Sequence, residues 1–261
     1  MCFEYDSVPP IPPIAGASVS HRRLELQATD GNHFRAFLAE PDEAASVGVV
    51  VLPDVRGLYP FYEEVALRFA ERGIAALAID YFGRTAGIGK RDGFFEYVQH
   101  ITQTTYDGVQ ADVQAAVEQL RDLGCEDVFT LGFCFGGTTS WLAAAACPGL
   151  AGAIGFYGHP AIRAILDGPE FPTAIDRAPA MSCPILALAA GNDQSIPAEL
   201  YDEFERALKA AGVEHEIVTY EGAPHSFFDR MYAEHIAASQ DAWERVLGFI
   251  AAHSATPSAA P

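Results

Sequence analysis

The sequence predicts a domain of the α/β class with a mostly parallel central sheet, on the basis of three observations. Half of the 261 residues are hydrophobic, which is enough to build a sizeable core and argues against a disordered chain. Strand-like apolar runs alternate with helical patterns of about 10 to 20 residues, as they do in βαβ units. No internal repeat or linker interrupts this alternation, so we expect a single domain over residues 18–253.

An antiparallel hairpin is predicted at the start of the domain. Residues 24–28 and 33–39 both alternate apolar and polar side chains, and the turn signal Asp30-Gly31 lies between them. Residues 1–17, before the hairpin, contain four prolines and are expected to be extended and without regular structure. Residues 254–261 are small and polar and are expected to form a flexible tail.

Strands and helices follow the hairpin in alternation. Continuous apolar runs predict buried strands, and apolar residues at helical spacing predict the helices between them. The predicted strands are residues 47–52, 74–79, 128–131, 151–156, 184–189 and 216–220. The predicted helices are residues 60–72, 105–123, 136–146, 198–211 and 239–252. Strands joined in this way pair in parallel, and the hairpin adds an antiparallel edge.

The charge balance limits the classes of partner. The formal net charge is −19, which argues against nucleic acid and anionic membrane surfaces, because both need clustered lysine and arginine. The first residues lack a signal-peptide pattern, and no apolar run reaches the roughly 18 residues of a membrane span. The five cysteines are widely spaced and form no C-x-x-C pair, so we expect reduced thiols and a cytoplasmic protein.

The most informative motif is the segment G-F-C-F-G at residues 132–136. It lies between a predicted strand and a predicted helix, which is the context of the G-x-S-x-G nucleophile elbow, here with Cys134 in the serine position. Larger side chains than Gly132 and Gly136 would collide in such a turn. The N–H of Phe135 would then lie where an oxyanion develops, and the helix N-terminus favours the thiolate of Cys134. The alternative is a tight turn with an incidental cysteine.

Two further residues complete a candidate triad. A thiol nucleophile of this kind needs a histidine base and an acid that orients it. Asp193 and His225 each follow a predicted buried strand, at the sheet edge where catalytic groups collect in open α/β sheets. The alternative role of Asp193 is to cap the next helix. The other histidines are interpreted as structural or exposed, and His159 is the one among them considered for the site.

These motifs resemble those of the dienelactone hydrolase family. The resemblance runs from about residue 24 to residue 250 and rests on three segments, residues 132–137, 191–197 and 225–227. It implies an α/β-hydrolase fold with helices on both faces of the sheet. It also implies hydrolysis of an enol-lactone ester without a cofactor or a metal ion.

The resemblance assigns roles to the motif residues. Cys134 would attack the lactone carbonyl, His225 would transfer protons, and Asp193 would orient His225. The N–H groups of Phe135 and Val55 would hold the oxyanion. The family glutamate near the thiol is replaced here by Asp54, which is one methylene shorter and could instead pair with Arg56 or Arg84.

The resemblance also implies substrate-binding residues. Arg84 matches one of two family arginines that hold a substrate carboxylate. The second would lie four residues after the histidine, where this chain has Asp229, with Arg230 one position later. Tyr157 resembles a pocket-wall tyrosine, with a core role as the alternative.

Two further expectations concern the surroundings of this site. The insertion at residues 85–97, with Phe94, Phe95 and Tyr97, would either overhang the site or pack away from it. Because the net charge is screened beyond roughly 8 Å, local arginines such as Arg84 and Arg56 would decide whether an anion binds.

Three functions are compatible with the sequence. The first is hydrolysis of a small anionic lactone, and the second is hydrolysis of neutral esters, which the departures at Asp54 and Asp229 favour. The third is a thiol-based ligand or redox sensor, which would not require a complete Cys, His and Asp set. The expected partner is a small molecule, and the protein is expected to be a monomer or a small homo-oligomer.

Overall fold

A computed structural model of the protein describes residues 6–89, 95–230 and 233–255. The described residues form an eight-stranded sheet in the order β1-β2-β4-β3-β5-β6-β7-β8. The strands are β1 (Val19–Gln27), β2 (His33–Pro41), β3 (Val47–Leu52), β4 (Ala75–Ile79), β5 (Asp127–Phe133), β6 (Gly152–Phe156), β7 (Ile185–Ala190) and β8 (His215–Tyr220). The predicted mostly parallel sheet is confirmed, because β4, β3 and β5 to β8 pair in parallel.

The antiparallel edge consists of the predicted hairpin. Strand β1 pairs with β2 from Val19 opposite Pro41 to Gln27 opposite His33, and β2 pairs antiparallel with β4. Strand β1 begins several residues before the predicted start. Its first five residues are mostly exposed and polar, so backbone pairing extends the strand where no apolar alternation marks it.

Helices connect the strands. They are α1 (Pro60–Ala70), α2 (Gly83–Ala86), α3 (Val98–Ile101), α4 (Tyr106–Asp122), α5 (Phe135–Ala146), α6 (Ala174–Arg177), α7 (Ala198–Ala211) and α8 (Ile236–His253). Short 3-10 turns cover Ala178–Ala180 and Ala233–His235. All five predicted helices are present. The single-turn helices α2, α3 and α6 were not predicted, because one turn is too short to show helical periodicity.

The core lies in two layers, one on each face of the sheet. Apolar residues of α4, α5 and α7 pack on one face, and those of α1 and α8 pack on the other. Strand β3 shows the reason for its continuous apolar run, since Val50 and Leu52 belong to the first layer and Val49 and Val51 to the second. A strand buried on both faces needs apolar residues at every position.

The turn from β5 to α5 carries the candidate nucleophile, Cys134, and brings backbone segments very close together. Cys134 adopts φ 56° and ψ −116° there, a left-handed value that is rare for residues other than glycine. A Cβ on Gly132 would lie 1.9 Å from the carbonyl oxygen of Gly136, and a Cβ on Gly136 would lie 2.1 Å from that of Leu52. The two glycines therefore let three backbone segments meet.

The described residues of the two chain ends lie against the domain. Residues 6–17 form neither helix nor strand, and Ile11 is buried in the core layer that contains α1 and α8. Helix α8 ends at His253, and residues 1–5 and 256–261 lie outside the described residues. In the described ranges, no helix combines the length and apolarity that crossing a membrane requires.

Replacement of Gly132 by alanine should destabilise the protein by about 3 kcal/mol or more, because the atoms that the new methyl group meets are backbone atoms that cannot move aside. Gly248→Ala is the matched control. Gly248 lies on the exposed side of α8 with no atom within 4 Å of an added Cβ, so this change should stabilise the helix by up to about 1 kcal/mol. Urea unfolding measures both, and similar effects of the two changes would contradict the role of Gly132.

Candidate active site

Cys134 lies at the carboxyl edge of the sheet, directly between β5 and α5. Its N–H donates a 3.0 Å hydrogen bond to the carbonyl oxygen of Phe156 at the end of β6. This bond continues the β5–β6 pairing to the turn itself and fixes the backbone that carries the thiol. The side chain is partly exposed, while Phe135 is the first residue of α5.

Asp193 and His225 meet on two neighbouring loops. Asp193 follows β7, and His225 follows β8. The His225 Nδ1–H donates a 2.6 Å hydrogen bond to Asp193 Oδ2. The two loops are also joined through their backbones, because Gly191 N–H binds the Tyr220 carbonyl and Asn192 N–H binds the Ala223 carbonyl, each at 2.9 Å. The geometry between acid and imidazole is thus set by both backbone and side-chain bonds.

Asp193 does not cap the next helix. Pro197 occupies the N-cap position of α7, and no side chain caps that helix. The second oxygen of Asp193 instead accepts bonds from the Ser195 N–H at 2.9 Å and the Ser195 hydroxyl at 2.7 Å. The Asp193 side chain is only 2% exposed. Of the two interpretations of this aspartate, the structure agrees with the one that pairs it with His225.

The electrostatics couple the three groups. Burial alone would raise the pKa of Asp193, but hydrogen bonds from His225 and Ser195 outweigh burial and lower it to about 2. Burial alone would lower the pKa of His225, but its hydrogen bonds with the Asp193 carboxylate and the Cys134 thiol raise it to about 9. The thiol, the imidazole and the carboxylate therefore form one hydrogen-bonded chain.

A cavity of about 240 Å³ opens beside the side chains of Cys134 and His225. Its walls are mostly aliphatic and aromatic, and they include both residues expected to hold an oxyanion. The lining residues are Val55, Cys134, Phe135, Thr138, Tyr157, His159, Ile162, Ile165, Ser195, Ile196 and His225. The size and lining suit a small molecule with an apolar body.

Tyr157 and His159 are two polar residues of the cavity wall. The ring of Tyr157 lies 4.9 Å from that of His225, centroid to centroid, which places it in the wall, although it is also buried in the core. His159 Nδ1 accepts the Ala161 N–H at 3.2 Å, so the ring proton of a neutral His159 is on Nε2. Burial lowers the pKa of His159. His159 is therefore a neutral hydrogen-bond donor at neutral pH.

Asp54 and Arg56 pair with each other. Arg56 Nη2 donates to Asp54 Oδ2 at 2.9 Å, and the Arg56 N–H donates to Asp54 Oδ1 at 2.8 Å. The guanidinium also lies over the ring of Tyr59, with its carbon 4.6 Å from the ring centroid. Of Arg56 and Arg84, the two partners considered for Asp54, Arg56 is the one that pairs with it. Neither Asp54 nor Arg56 lines the cavity.

Arg84 is held on another part of the surface. It donates to the Gly108 carbonyl at 2.9 Å and to Asp112 at 2.8 Å, and it also pairs with Asp30. Asp112 is fully buried, and burial raises its pKa to about 6 despite the bonds from Asn32 and Arg84. The guanidinium of Arg84 is held by these partners, and Arg84 is not among the residues that line the cavity.

Arg230 also lies away from the cavity. It is exposed and borders a different cavity of about 360 Å³ formed with residues 8–13. The expectation that Arg84 and Arg230 hold a substrate carboxylate is therefore not supported by their placement. Among the described lining residues, none is an arginine or a lysine.

The insertion at residues 85–97 contributes nothing to the described cavity wall. Phe95 and Tyr97 pack against the core layer that contains α4, and the Phe95 ring stacks on His100 at 5.0 Å. Phe94 lies outside the described residues. For Phe95 and Tyr97, the structure agrees with packing away from the site.

Several lining residues were missed by sequence reasoning. Ser195 had a usable signal, because a serine two residues after an aspartate commonly closes a local turn. Ile162 and Ile165 lie in an irregular segment after β6 and have no periodic pattern. In the described part of the chain, no group of three or more His, Cys, Asp or Glu side chains could hold a metal ion.

Comparison with known proteins assigns the chain to a family. The model of the dienelactone hydrolase family matches residues 34–254. The chain belongs to this family. It is therefore a hydrolase, as the sequence motifs predicted.

Individual relatives agree with this family. The chain is 29% identical to a Yersinia pestis protein provisionally named carboxymethylenebutenolidase, covering 86% of each chain. It is 30% identical to a Bradyrhizobium protein provisionally named 2-oxo-3-(5-oxofuran-2-ylidene)propanoate lactonase, covering 86% of this chain and 92% of that one.

Solved structures establish the α/β-hydrolase fold. A Klebsiella pneumoniae crystal structure provisionally named dienelactone hydrolase superposes with a TM-score of 0.80 at 26% identity, covering 90% of this chain and 99% of that one. A Pyrococcus horikoshii acylaminoacyl peptidase shares the fold, with a TM-score of 0.71 at 15% identity. That match covers 89% of this chain and 41% of the peptidase. The predicted fold class is confirmed.

The free energy of unfolding should contain a contribution from His225 that is lost at alkaline pH. The folded pKa of about 9 lies above the ordinary 6.5, so the folded state binds the imidazole proton more tightly than the unfolded chain. This contribution is fully present below about pH 6.5 and disappears as the pH rises through about 9. Urea unfolding at about pH 6 and about pH 10 measures it, with His225→Gln as the control. Equal pH dependence in both proteins would exclude the contribution.

Proposed function

We propose that this hydrolase cleaves a small carboxylic ester or lactone through a thioester intermediate on Cys134. The observation that carries the proposal is the hydrogen-bonded chain from Asp193 through His225 to Cys134, which ends at an apolar cavity. Membership of the dienelactone hydrolase family supports ester chemistry. The alternative of a thiol-based ligand or redox sensor does not account for the buried Asp193 carboxylate that pairs with His225.

The first half of the reaction acylates the thiol. His225 holds the proton of Cys134, and the thiolate sulfur forms a bond to the carbonyl carbon of the substrate. The carbonyl oxygen becomes an oxyanion, which in this proposal binds the N–H groups of Phe135 and Val55, two residues of the cavity wall. When the carbon–oxygen bond breaks, His225 gives its proton to the leaving alkoxide. In a lactone, the resulting hydroxyl stays attached to the acyl group.

The second half hydrolyses the thioester. His225 accepts a proton from a water molecule, the hydroxide oxygen adds to the thioester carbon, and the carbon–sulfur bond breaks to return the thiolate. Asp193 remains ionised throughout, because its pKa is about 2. Its negative charge stabilises the imidazolium form of His225 in both halves and keeps the ring in one orientation.

The cavity favours neutral esters as the substrate over lactones that carry a carboxylate. Desolvating an anion beside aliphatic walls is costly unless a cation pairs with it. Of the charged residues predicted to do so, Arg56 and Arg84 are each paired with carboxylates elsewhere. His159 offers the cavity a neutral donor, which suits an uncharged carbonyl or ether oxygen.

Cys134→Ala should lower the hydrolysis of p-nitrophenyl acetate by at least about 1000-fold, because it removes the sulfur that forms the acyl intermediate. Cys183→Ala is the matched control. This cysteine is buried beside β7, and burial raises its pKa to about 12, so the change should leave turnover near the wild-type rate. Release of p-nitrophenol measures both. Undiminished turnover in Cys134→Ala would rule out thiol catalysis.

Arg84→Gln should leave the relative kcat/KM for a neutral ester and its carboxylate-bearing analogue within about twofold of wild type. The same change should cost about 3 kcal/mol of stability, because it removes the cation beside buried Asp112. Arg163→Gln breaks an exposed ion pair with Asp176 and should cost at most about 0.5 kcal/mol. A selective loss of activity on the carboxylate substrate would instead favour an anionic lactone as the substrate.

A further inference from the structure

Residues 7–14, which we call the N-terminal strap, cross the protein beside the loop that carries His225. The strap has no regular secondary structure, yet much of it is buried. Ser7 is 3% exposed and Ile11 is 6% exposed, and Pro9 and Pro10 are also buried. A proline-rich segment is already extended and loses little conformational entropy when it docks. The strap is therefore stably packed against the domain and is not a frayed chain end.

The central contact joins the strap to the end of the His225 loop. The Ser7 hydroxyl donates a 2.5 Å hydrogen bond to Asp229 Oδ2, between two residues 222 positions apart in the chain. Asp229 is only 1% exposed. The Arg230 N–H adds a 3.3 Å bond to the Val8 carbonyl. A buried carboxylate needs such donors, because leaving its oxygen unsatisfied is costly.

The strap is held at two ends. At its other end, the Ile14 N–H donates to Glu71 Oε2 at 3.0 Å, just after α1. Between the ends, a cavity of about 360 Å³ separates part of the strap from Glu64 and Arg68. The Ser7–Asp229 bond and the Val8–Arg230 bond therefore both link the strap directly to the loop that carries His225, and the Ser7–Asp229 bond is the one made by side chains.

The loop after β8 depends on such links for its shape. Residues 221–230 contain neither helix nor strand, and Ser226, next to His225, has φ 62°. On one side of His225, the loop is bonded to the Asp193 loop. On the other side, it is held by the complete burial of Phe227 and Phe228, by the bond from the Ser239 hydroxyl to the Phe227 carbonyl, and by Asp229.

We propose that Ser7 and Asp229 are positioning residues that keep the His225 imidazole aligned with the Cys134 thiol. The inference rests on the proposed function only in taking His225 as the proton carrier. It also gives Asp229 a role. At the position where the family resemblance led us to expect a substrate-binding arginine, this chain has a buried carboxylate that binds the strap. Small displacements of a catalytic group are known to cost large factors in rate.

Ser7→Ala should lower kcat for p-nitrophenyl acetate by about three- to tenfold and change KM by less than about twofold, because alignment and not binding is lost. Asp229→Ala should have the same effect, and the double variant should lose no more than either single variant. Ser18→Ala is the matched control, since Ser18 lies exposed in the same part of the chain. It should match wild type.

The second measurement does not depend on turnover. Alkylation of Cys134 by iodoacetamide, followed across pH by mass spectrometry of the Cys134 peptide, reports the thiolate that His225 stabilises. In Ser7→Ala, this pH profile should move to higher pH, because a misaligned imidazolium stabilises the thiolate less. A merely structural role of Ser7 would lower the unfolding temperature and leave both kcat and the alkylation profile at the Ser18→Ala values, which would overturn the proposal.

The two proposals fail separately. If wild type hydrolyses no ester but the alkylation profile still shifts in Ser7→Ala, the positioning role stands and the proposed function is wrong. If wild type hydrolyses esters and Ser7→Ala behaves as Ser18→Ala, the positioning role is wrong. If Ser7→Ala does not fold, Ser7→Cys replaces it. A thiol is a weaker hydrogen-bond donor than a hydroxyl, so Ser7→Cys must also differ from Ser18→Ala in kcat and in the alkylation profile.

Discussion

The left-handed conformation of Cys134 is the constraint on which the rest of the site depends. A residue other than glycine at φ 56° costs about 1 to 3 kcal/mol, and the surrounding backbone must enforce it. Gly132, Gly136 and the end of β3 allow this, because their backbones approach more closely than any side chain would permit. The strain places the thiol at the start of α5 and at the edge of the sheet.

The loops after β7 and β8 carry the two other residues of the site, Asp193 and His225. Parallel strands bring Asp193 and His225 to the same edge as Cys134, and backbone bonds between the two loops set their spacing. As a result, the pKa of the carboxylate is low and the pKa of the imidazole is high. Each of the two groups shifts the pKa of the other, so they titrate as a coupled pair. The strap adds a fourth segment, far away in sequence, to the same loop.

The charge of −19 has little bearing on this cavity. Surface charges are screened over roughly 8 Å, so the side chains in the cavity wall set its electrostatics. Arg84, to which the family resemblance assigns substrate binding, is engaged with Asp112 and Asp30 instead. Arg56, the other arginine expected to attract an anion, is engaged with Asp54. Charge composition thus indicated partner classes, while the choice between anionic and neutral substrates depends on which carboxylate each arginine meets.

The sequence by itself determined the fold class, the eight strands, the five long helices and the candidate residues Cys134, Asp193 and His225. Those features depend on local patterns, because apolar period and glycine spacing act within a few residues. Tertiary structure decided the partners of Asp54 and Arg84, the lining by Ile162 and Ile165, and the bond between Ser7 and Asp229. The Asp54–Arg56 pair joins residues only two positions apart, but the geometry of the folded backbone still decides that Arg56 and not Arg84 is the partner. The other contacts join residues distant in the chain, and no local pattern records which charged group a folded backbone will bring within reach.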